Sequence, residues 1–361
     1  MATSTSTSKT ASAPTITTHF DISLLPSLKD GMTVEEEADK RRKTCRFIEE
    51  AGRVLKLPRV ATATAMVFFH RFYAKHSFTV HDRFEVAVAC LVLAAKTEES
   101  PRKLNAVIDE CYKLKVRGMQ AGRISLQPGA SAAAANILSP TGGSSSGNLD
   151  PKGEEFLKLK ERILLLERVI LHTIGFELSI DHPYKFLVEQ IKKLVQRRQL
   201  EYTKNTSSSQ QISASQVYNK MMNEMVQYAM NFSNDSMHSS LCLQFEPHKI
   251  ATATVYLAGH FSKVRPVMGQ TWLQVLATTT TTAVDVESLA SICVQIVELI
   301  AERKGADAKT FDAIRQDLEA LRNTATGTGT DTVSSGNAAA GRDGSGVVKT
   351  QAPDAKRQRR D

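Results

Sequence analysis

The sequence lacks a long hydrophobic run and any closely spaced pair of cysteines. No stretch reaches the 18 or more apolar residues that a membrane-spanning helix requires. The Ser/Thr-rich first 18 residues contain neither the apolar segment of a signal peptide nor the arginines of a mitochondrial transit peptide. Without a CxxC pair, zinc ribbons, thioredoxin-like sites and disulfide scaffolds are disfavoured, and a reducing compartment is expected. The five cysteines are Cys45, Cys90, Cys111, Cys242 and Cys293.

The short motifs of common catalytic and metal sites are also missing. We find no GxGxxG loop, Walker A run, kinase-type HRD or DFG triplet, or HExxH pair. His70, His76 and His81 form the densest histidine group, but their positions are more typical of helix packing and a loop than of metal ligands. Nothing in the sequence therefore indicates a cofactor, a metal or an enzyme active site.

Positive charge is in excess overall but not in the regions that are predicted to fold. The chain carries 46 basic and 38 acidic residues, whereas residues 20–115 carry 17 and 14, and residues 151–323 carry 20 and 19. A groove that neutralises about six to ten phosphates needs a larger local excess, so we expect no direct nucleic-acid binding by these regions. The basic run Lys356, Arg357, Arg359 and Arg360 predicts a nuclear import signal, with a solvated basic tail as the alternative.

Low-complexity sequence divides the chain. Residues 1–19 and 324–361 are predicted to be disordered tails, the second one carrying the basic cluster. Residues 118–150 contain six glycines and runs of Ala and Ser, which predict a flexible insertion. The remaining sequence predicts a first domain over 20–176 that contains this insertion, a second over 177–305, and an additional helix over 306–323.

Between these segments the apolar residues recur with helical spacing, and period-two strand patterns are almost absent. In the first domain, Thr33 and Glu36 form a capping box for a helix that ends near residue 54, and further helices are expected from Pro58, over 83–96, from Ser100-Pro101 and over 154–174. In the second, helices are expected after Asp181 or His182 and over 214–232, 247–261, 270–276 and 285–303. Residues 87–94 also align with residues 251–258, each in the third helix of five, which favours a duplicated unit over two unrelated buried helices. The sequence predicts an all-α protein of two tandem five-helix bundles.

Three segments carry a resemblance to a known family. They are FHRFY at 69–73, LAAKTEESP at 93–101, and LERVILHTIGFEL at 166–178 followed by Asp181-His182-Pro183. In this order and spacing the sequence resembles a cyclin with two cyclin boxes over about residues 20–303, and is similar to the transcription-associated cyclins of types L, K and T. Residues 25–31 (LPSLKDG) and 244–247 (QFEP) most resemble cyclin L.

The resemblance implies a non-catalytic regulatory subunit of a cyclin-dependent Ser/Thr protein kinase, located in the nucleus and acting in RNA polymerase II transcription or pre-mRNA processing. It implies that Lys96 and Glu167 are polar anchors for the kinase. Glu167 also interrupts an apolar run, where an unpaired buried carboxylate would be costly, although a rim glutamate with a neighbouring basic partner explains it equally well. Leu104 and Phe78 are the apolar interface candidates.

Two other interpretations stay open at this point. A scaffold resembling general transcription factor IIB shares the two-box architecture, but it would bring an N-terminal zinc ribbon and a strongly basic second box, and neither is seen. An all-α enzyme with an unfamiliar site would need a cluster of acid and base residues, and no such cluster is evident.

Overall fold

A computed structural model describes residues 20–120, 149–203, 214–280, 283–301 and 308–325. Within these ranges the chain forms thirteen α-helices and one two-stranded ribbon, which confirms the predicted all-α class. None of the described helices is both long and apolar enough to cross a lipid bilayer. The predicted N-terminal tail, most of the 118–150 insertion and the predicted C-terminal tail beyond residue 325 lie outside the described residues.

The first half of the chain forms six helices after a 3-10 turn at Ile22–Leu24. They are α1 (Pro26–Lys29), α2 (Val34–Val54), α3 (Arg59–Lys75), α4 (Arg83–Thr97), α5 (Leu104–Gln120) and α6 (Glu154–Thr173). The second half contains α7 (Pro183–Gln196), β1 (Leu200–Tyr202), α8 (Ala214–Ser236), α9 (Leu241–Gln244), α10 (Pro247–Phe261), β2 (Val264–Pro266), α11 (Trp272–Ala277), α12 (Val286–Ala301) and α13 (Ala308–Ala325).

Local sequence signals explain where several helices begin and end. At the start of α2, the Thr33 hydroxyl accepts from the Glu36 amide at 3.2 Å and the Glu36 carboxylate accepts from the Thr33 amide at 3.1 Å, as the capping box predicts. The Asp82 carboxylate caps α4 by accepting from the amides of Phe84 and Glu85, both at 2.9 Å. Gly175 ends α6 in the left-handed conformation, with a φ of 65°.

The predicted start of the fourth helix at Pro101 is wrong, because α5 begins at Leu104. The Ser100 amide donates to the Ala95 carbonyl and thereby closes the end of α4. Arg102 donates to the carbonyls of Leu55 at 2.9 Å and Lys56 at 2.7 Å. The residues just before Leu104, from Ser100 on, therefore tie the ends of two helices together instead of starting a third.

The buried apolar side chains form two clusters. The first is contributed by α2 to α6, with α3 and α4 buried on almost every side, and the second by α7 to α13. This division agrees with two bundles, although the exact boundaries remain a prediction. The helix expected over 306–323 is α13, and α5 extends to Gln120, three residues into the predicted insertion. The ribbon was not predicted, since β1 and β2 have only three residues each.

Hydrogen bonds join the two bundles at the turn between α8 and α9. Arg41 donates to His70 Nδ1 at 3.1 Å, so the proton of this imidazole lies on Nε2, which donates to the Met237 carbonyl at 2.9 Å. Burial lowers the pKa of His70 to about 3, which keeps the ring neutral. Nearby, Arg59 donates to Asn234 at 3.0 Å, and Glu49 bonds His238 at 3.0 Å. The last turn of α8 and the residues just after it, 234–238, thus meet three polar side chains of the first bundle.

Candidate partner-binding surface

The end of α4 and the middle of α6 bring Lys96 and Glu167 together. Lys96 Nζ lies 2.5 Å from Glu167 Oε1, although 71 positions separate the two residues in the chain. The Lys96 side chain is 54% exposed and that of Glu167 is 11% exposed. The two residues that the resemblance implies as anchors therefore form an ion pair at the surface of the first bundle. We call this pair half-open because Lys96 is half-exposed and Glu167 is largely buried.

The position of Lys96 follows from the burial pattern of α4. Residues Leu91 to Ala95 are all buried, and Lys96 is the first exposed residue of the last turn. A cation there is favoured by the helix macrodipole. Next to it, the carboxylate of Glu98 accepts a hydrogen bond from Thr64 at 2.7 Å, and Thr64 also bonds His182 at 2.8 Å. The residues after the anchor are thus held by both α3 and the start of the second bundle.

The outer face of α6 is partly apolar. The exposed positions recur at helical spacing and form one stripe: Glu161, Leu164, Leu165, Arg168 and His172. Leu165 is 57% exposed, and Leu164 is exposed beside it. Leu164 lies one turn before Glu167 and adjoins it, whereas Leu165 points about 160° away from Glu167. An exposed leucine adjoining a half-open ion pair is typical of a protein-binding surface more than of a fully solvated helix face.

The Lys96–Glu167 pair retains unused hydrogen-bonding capacity. An ammonium has three donors and a carboxylate about four acceptor positions, and one bond between them uses one of each. The remaining donors and acceptors can bind carbonyl and amide groups of another polypeptide. The surface is suited to contact a partner's backbone with its charged pair and a partner's apolar side chains with its leucines.

The two apolar candidates have different positions. Leu104 is half-buried at the start of α5, where it packs against the first core and keeps part of its surface in solvent. Phe78 is a wrong prediction, because its side chain is 1% exposed, stacks on Tyr73 at 3.8 Å and lies against the Arg41 guanidinium. An aromatic residue in the core of the first bundle offers no surface to a partner.

Sequence reasoning missed Leu164 and Leu165 because they belong to an apolar run, residues 163–166, that suggests a buried segment. Helix geometry could have identified an exposed residue within this run. Four consecutive residues span about 300° in steps of 100°, so at least one of them must face away from the core.

The remaining predicted sites are simpler to place. Lys356, Arg357, Arg359 and Arg360 lie outside the described residues. His76 bonds the Thr173 hydroxyl at 2.9 Å, and His81 lies edge-on to the Phe72 ring. Within the part of the chain that the structure describes, no group of three or more His, Cys, Asp or Glu side chains could hold a metal ion.

Comparison with known proteins adds a family to this geometry. The cyclin N-terminal domain matches residues 23–179. Cyclin-T1-3 of Oryza sativa subsp. japonica is 35% identical over 241 residues, which are 66% of this chain and 39% of that protein. Human Cyclin-K is 31% identical over 291 residues, 79% of this chain and 40% of that protein. Human Cyclin-L1 is 29% identical over 284 residues, 78% of this chain and 44% of that protein.

Among solved structures, a chain of the crystal structure of the yeast RNA Pol II CTD kinase CTDK-1 complex has a similar fold. The TM-score is 0.52 at 14% sequence identity, and the superposition covers 79% of this chain and 77% of that chain. At this identity the likeness shows the fold alone.

The chain is a member of the cyclin family. Its relatives named above are transcription cyclins of types T, K and L, as the sequence predicted. Their identities, 29% to 35%, are too close to one another to single out type L, so that finer resemblance stays a prediction. The chain spans about two fifths of the length of these relatives.

Proposed function

We propose that this protein is a regulatory cyclin subunit that binds a cyclin-dependent Ser/Thr protein kinase and activates it without catalysing a reaction itself. We further propose that it acts in the nucleus, in RNA polymerase II transcription or pre-mRNA processing. The observation that carries the proposal is the half-open Lys96–Glu167 pair with the exposed Leu164 one turn away on α6, in a chain whose relatives are cyclins T, K and L.

Activation is explained by the requirements of kinase chemistry. A protein kinase transfers phosphate efficiently only when the lysine of its β3 strand pairs with a glutamate of its mobile αC helix. A partner that packs against the αC helix in its inward position shifts the kinase toward that arrangement. Moving a kinase from 1% to 99% active requires about 5.5 kcal/mol of differential binding.

The residues of the surface contribute to this binding free energy in different ways. Leu164 loses its solvent contact when the αC helix covers it, and full burial of a leucine side chain contributes about 1.5–3 kcal/mol. Lys96 donates to backbone carbonyls of the kinase and Glu167 accepts from backbone amides, which fixes the register of the two proteins. Leu104, half-buried at the start of α5, extends the apolar contact toward the neighbouring helix.

The direct experiment mixes the purified chain with a purified, inactive cyclin-dependent kinase and follows phosphate transfer to a heptad-repeat peptide of the RNA polymerase II tail. The chain alone should transfer none, and the mixture should be active. The Leu164→Glu variant should lose activation because it places a charge in the apolar contact.

Val34→Glu is the matched control, since it makes the same type of change at an exposed valine of the first turn of α2. Equal activation by wild-type chain and Leu164→Glu would contradict the surface assignment. Salt-sensitive binding to duplex DNA with no activation of any kinase would favour the scaffold interpretation instead.

The nuclear location has a separate test. A fluorescent fusion of the chain should accumulate in nuclei, and neutral residues at Lys356, Arg357, Arg359 and Arg360 should make it lose that accumulation. Unchanged nuclear accumulation would show that import depends on another segment or on the kinase.

A further inference from the structure

The second bundle contains a surface pocket that the proposed kinase contact does not use. It has a volume of about 420 Å³ and lies between the end of α10, the turn after β2, the start of α11 and one face of α13. Its walls include His260, Lys263, Met268, Trp272 and Asp317. Each of these elements belongs to the second bundle, whereas Lys96, Glu167 and the leucine stripe belong to the first.

The pocket has two large apolar side chains: Trp272 is tightly packed, and Met268 is free to change its conformation. Trp272 packs over the backbone of Gly259, where a Cβ atom would come within 2.2 Å of the indole ring. Met268, at the tip of the turn, is 88% exposed, which is unusual for a large apolar side chain. An aromatic wall opposite a flexible thioether is typical of a site that accepts an apolar side chain from a partner.

The polar part has unused binding capacity. His260 Nε2 has no hydrogen-bond partner, and the nearest carboxylate oxygen, of Asp317, is 3.8 Å away. Within the described residues, the exposed Lys263 side chain makes no hydrogen bond or ion pair. Buried polar groups in native proteins are normally satisfied, so an unpartnered ring nitrogen in a pocket wall indicates a missing partner group.

The surroundings are locally basic although the whole second half of the chain is nearly neutral. Residues 197–203 and 263–270, which form the ribbon and its flanking turns, carry four basic side chains and one acidic one. The acidic one, Glu201, is already paired with Arg265 at 3.0 Å. An approaching partner therefore meets a positive rim.

We propose that this pocket docks a peptide segment in which an acidic residue lies beside a large apolar one. The acidic side chain pairs with Lys263, and the apolar one enters between Trp272 and Met268, with a polar group of the peptide bonded to His260. Strand addition is excluded at this edge of β2 because Pro266 has no amide hydrogen to donate. A nucleic acid fits less well, since it needs several phosphate contacts and the described lining offers one lysine or arginine outside an ion pair, Lys263.

The chain has a natural reporter for this site, since Trp272 is its single tryptophan. The test titrates the full chain, without kinase, with the peptide Asp-Phe-Glu-Leu-Asp and with its neutral analogue Asn-Phe-Gln-Leu-Asn while tryptophan emission is recorded. We expect the acidic peptide to change the emission saturably and the neutral peptide to bind roughly tenfold more weakly.

Three variants make the test specific. Lys263→Glu should weaken the acidic peptide by about tenfold or more because it replaces attraction by repulsion. Met268→Ser should weaken it several-fold, and its exposed position makes a folding defect unexpected. Lys192→Glu is the matched control, an exposed lysine of α7 outside the pocket, and should change the affinity less than about twofold because salt screens distant charges.

The proposal is overturned if the emission does not change, if the neutral peptide binds equally well, or if Lys192→Glu weakens binding as much as Lys263→Glu. Stronger binding of a single-stranded oligonucleotide that displaces the peptide would overturn it in favour of a nucleic-acid site. Because no kinase is present, these outcomes are independent of the proposed kinase regulation.

Discussion

The Lys96–Glu167 pair allows a test that separates an internal structural role from a partner-binding role. An ion pair with one half-exposed member contributes about 0.2–1 kcal/mol to stability. For a protein of this size, 1 kcal/mol changes the melting temperature by about 2–4 °C. Lys96→Ala and Glu167→Ala should therefore each lower the melting temperature by a few degrees or less.

The expected effect on the kinase is much larger. A hydrogen bond to a charged group contributes about 1.5–3 kcal/mol. Loss of one anchor should weaken kinase binding by about 10–150-fold. The decisive variant is the double exchange Lys96→Glu with Glu167→Lys, which restores the internal pair but presents an acceptor where the kinase needs a donor. Its melting temperature should return toward the wild-type value while kinase binding stays weak.

A second ion pair between the same two helices is the control. Arg162 of α6 bonds Glu85 of α4 through two nitrogens, at 2.8 and 3.1 Å. Glu85 lies 11 residues before Lys96, or about 16 Å along the helix. Glu85→Ala should lower the melting temperature by a similar amount and leave kinase affinity unchanged. Titration calorimetry with the kinase, together with thermal melts, gives both quantities. If the double exchange binds kinase as the wild type does, the pair only joins two helices and the anchor assignment is wrong.

Three further predictions concern stability. Gly259→Ala should destabilise the second bundle by about 1–3 kcal/mol and shift the emission of Trp272, because the new methyl group collides with the indole; an unchanged melt would contradict the described contact of α10 with α11. Thr33→Ala should cost about 1 kcal/mol through loss of the capping box, measured by urea unfolding, with Thr33→Ser retaining most of the stability. His70 has a folded-state pKa of about 3, so only the unfolded chain takes up this proton between about pH 6.5 and 3. Stability should therefore fall with falling pH in this window by up to about 1.4 kcal/mol per pH unit more than in His70→Gln, and parallel curves for the two proteins would refute the assignment.

The helices were largely predictable because their signals are local. The box of Thr33 and Glu36, the turn at Gly175 and the apolar spacing of α10 each act within a few residues of the chain. The start of α5 was not predictable in this way, because the residues before Leu104 are engaged by the ends of α2 and α4. Those partners are more than 40 positions distant in one case, and no local pattern reports them.

The candidate surface was predictable only in part. Lys96 and Glu167 were found through a family resemblance, and residue patterns alone left the role of Glu167 undecided. The structure adds what the sequence could not contain, namely that the two side chains meet and that Leu165 faces outward. Phe78 was assigned wrongly because a sequence shows that a residue is aromatic but not which side of a helix end it packs against.

The end of α8 makes the sequences of the two bundles depend on each other. The side-chain oxygen of Asn234 accepts a hydrogen bond from Arg59 of the first bundle and another, at 3.0 Å, from Tyr184 of the second. Exchange of that residue in a descendant sequence leaves an arginine and a phenol without their acceptor unless position 59 or 184 changes as well. We therefore expect positions 59, 184 and 234 to change together among related sequences. A hybrid that joins the first bundle of one relative to the second bundle of another should need compensating substitutions at this contact first.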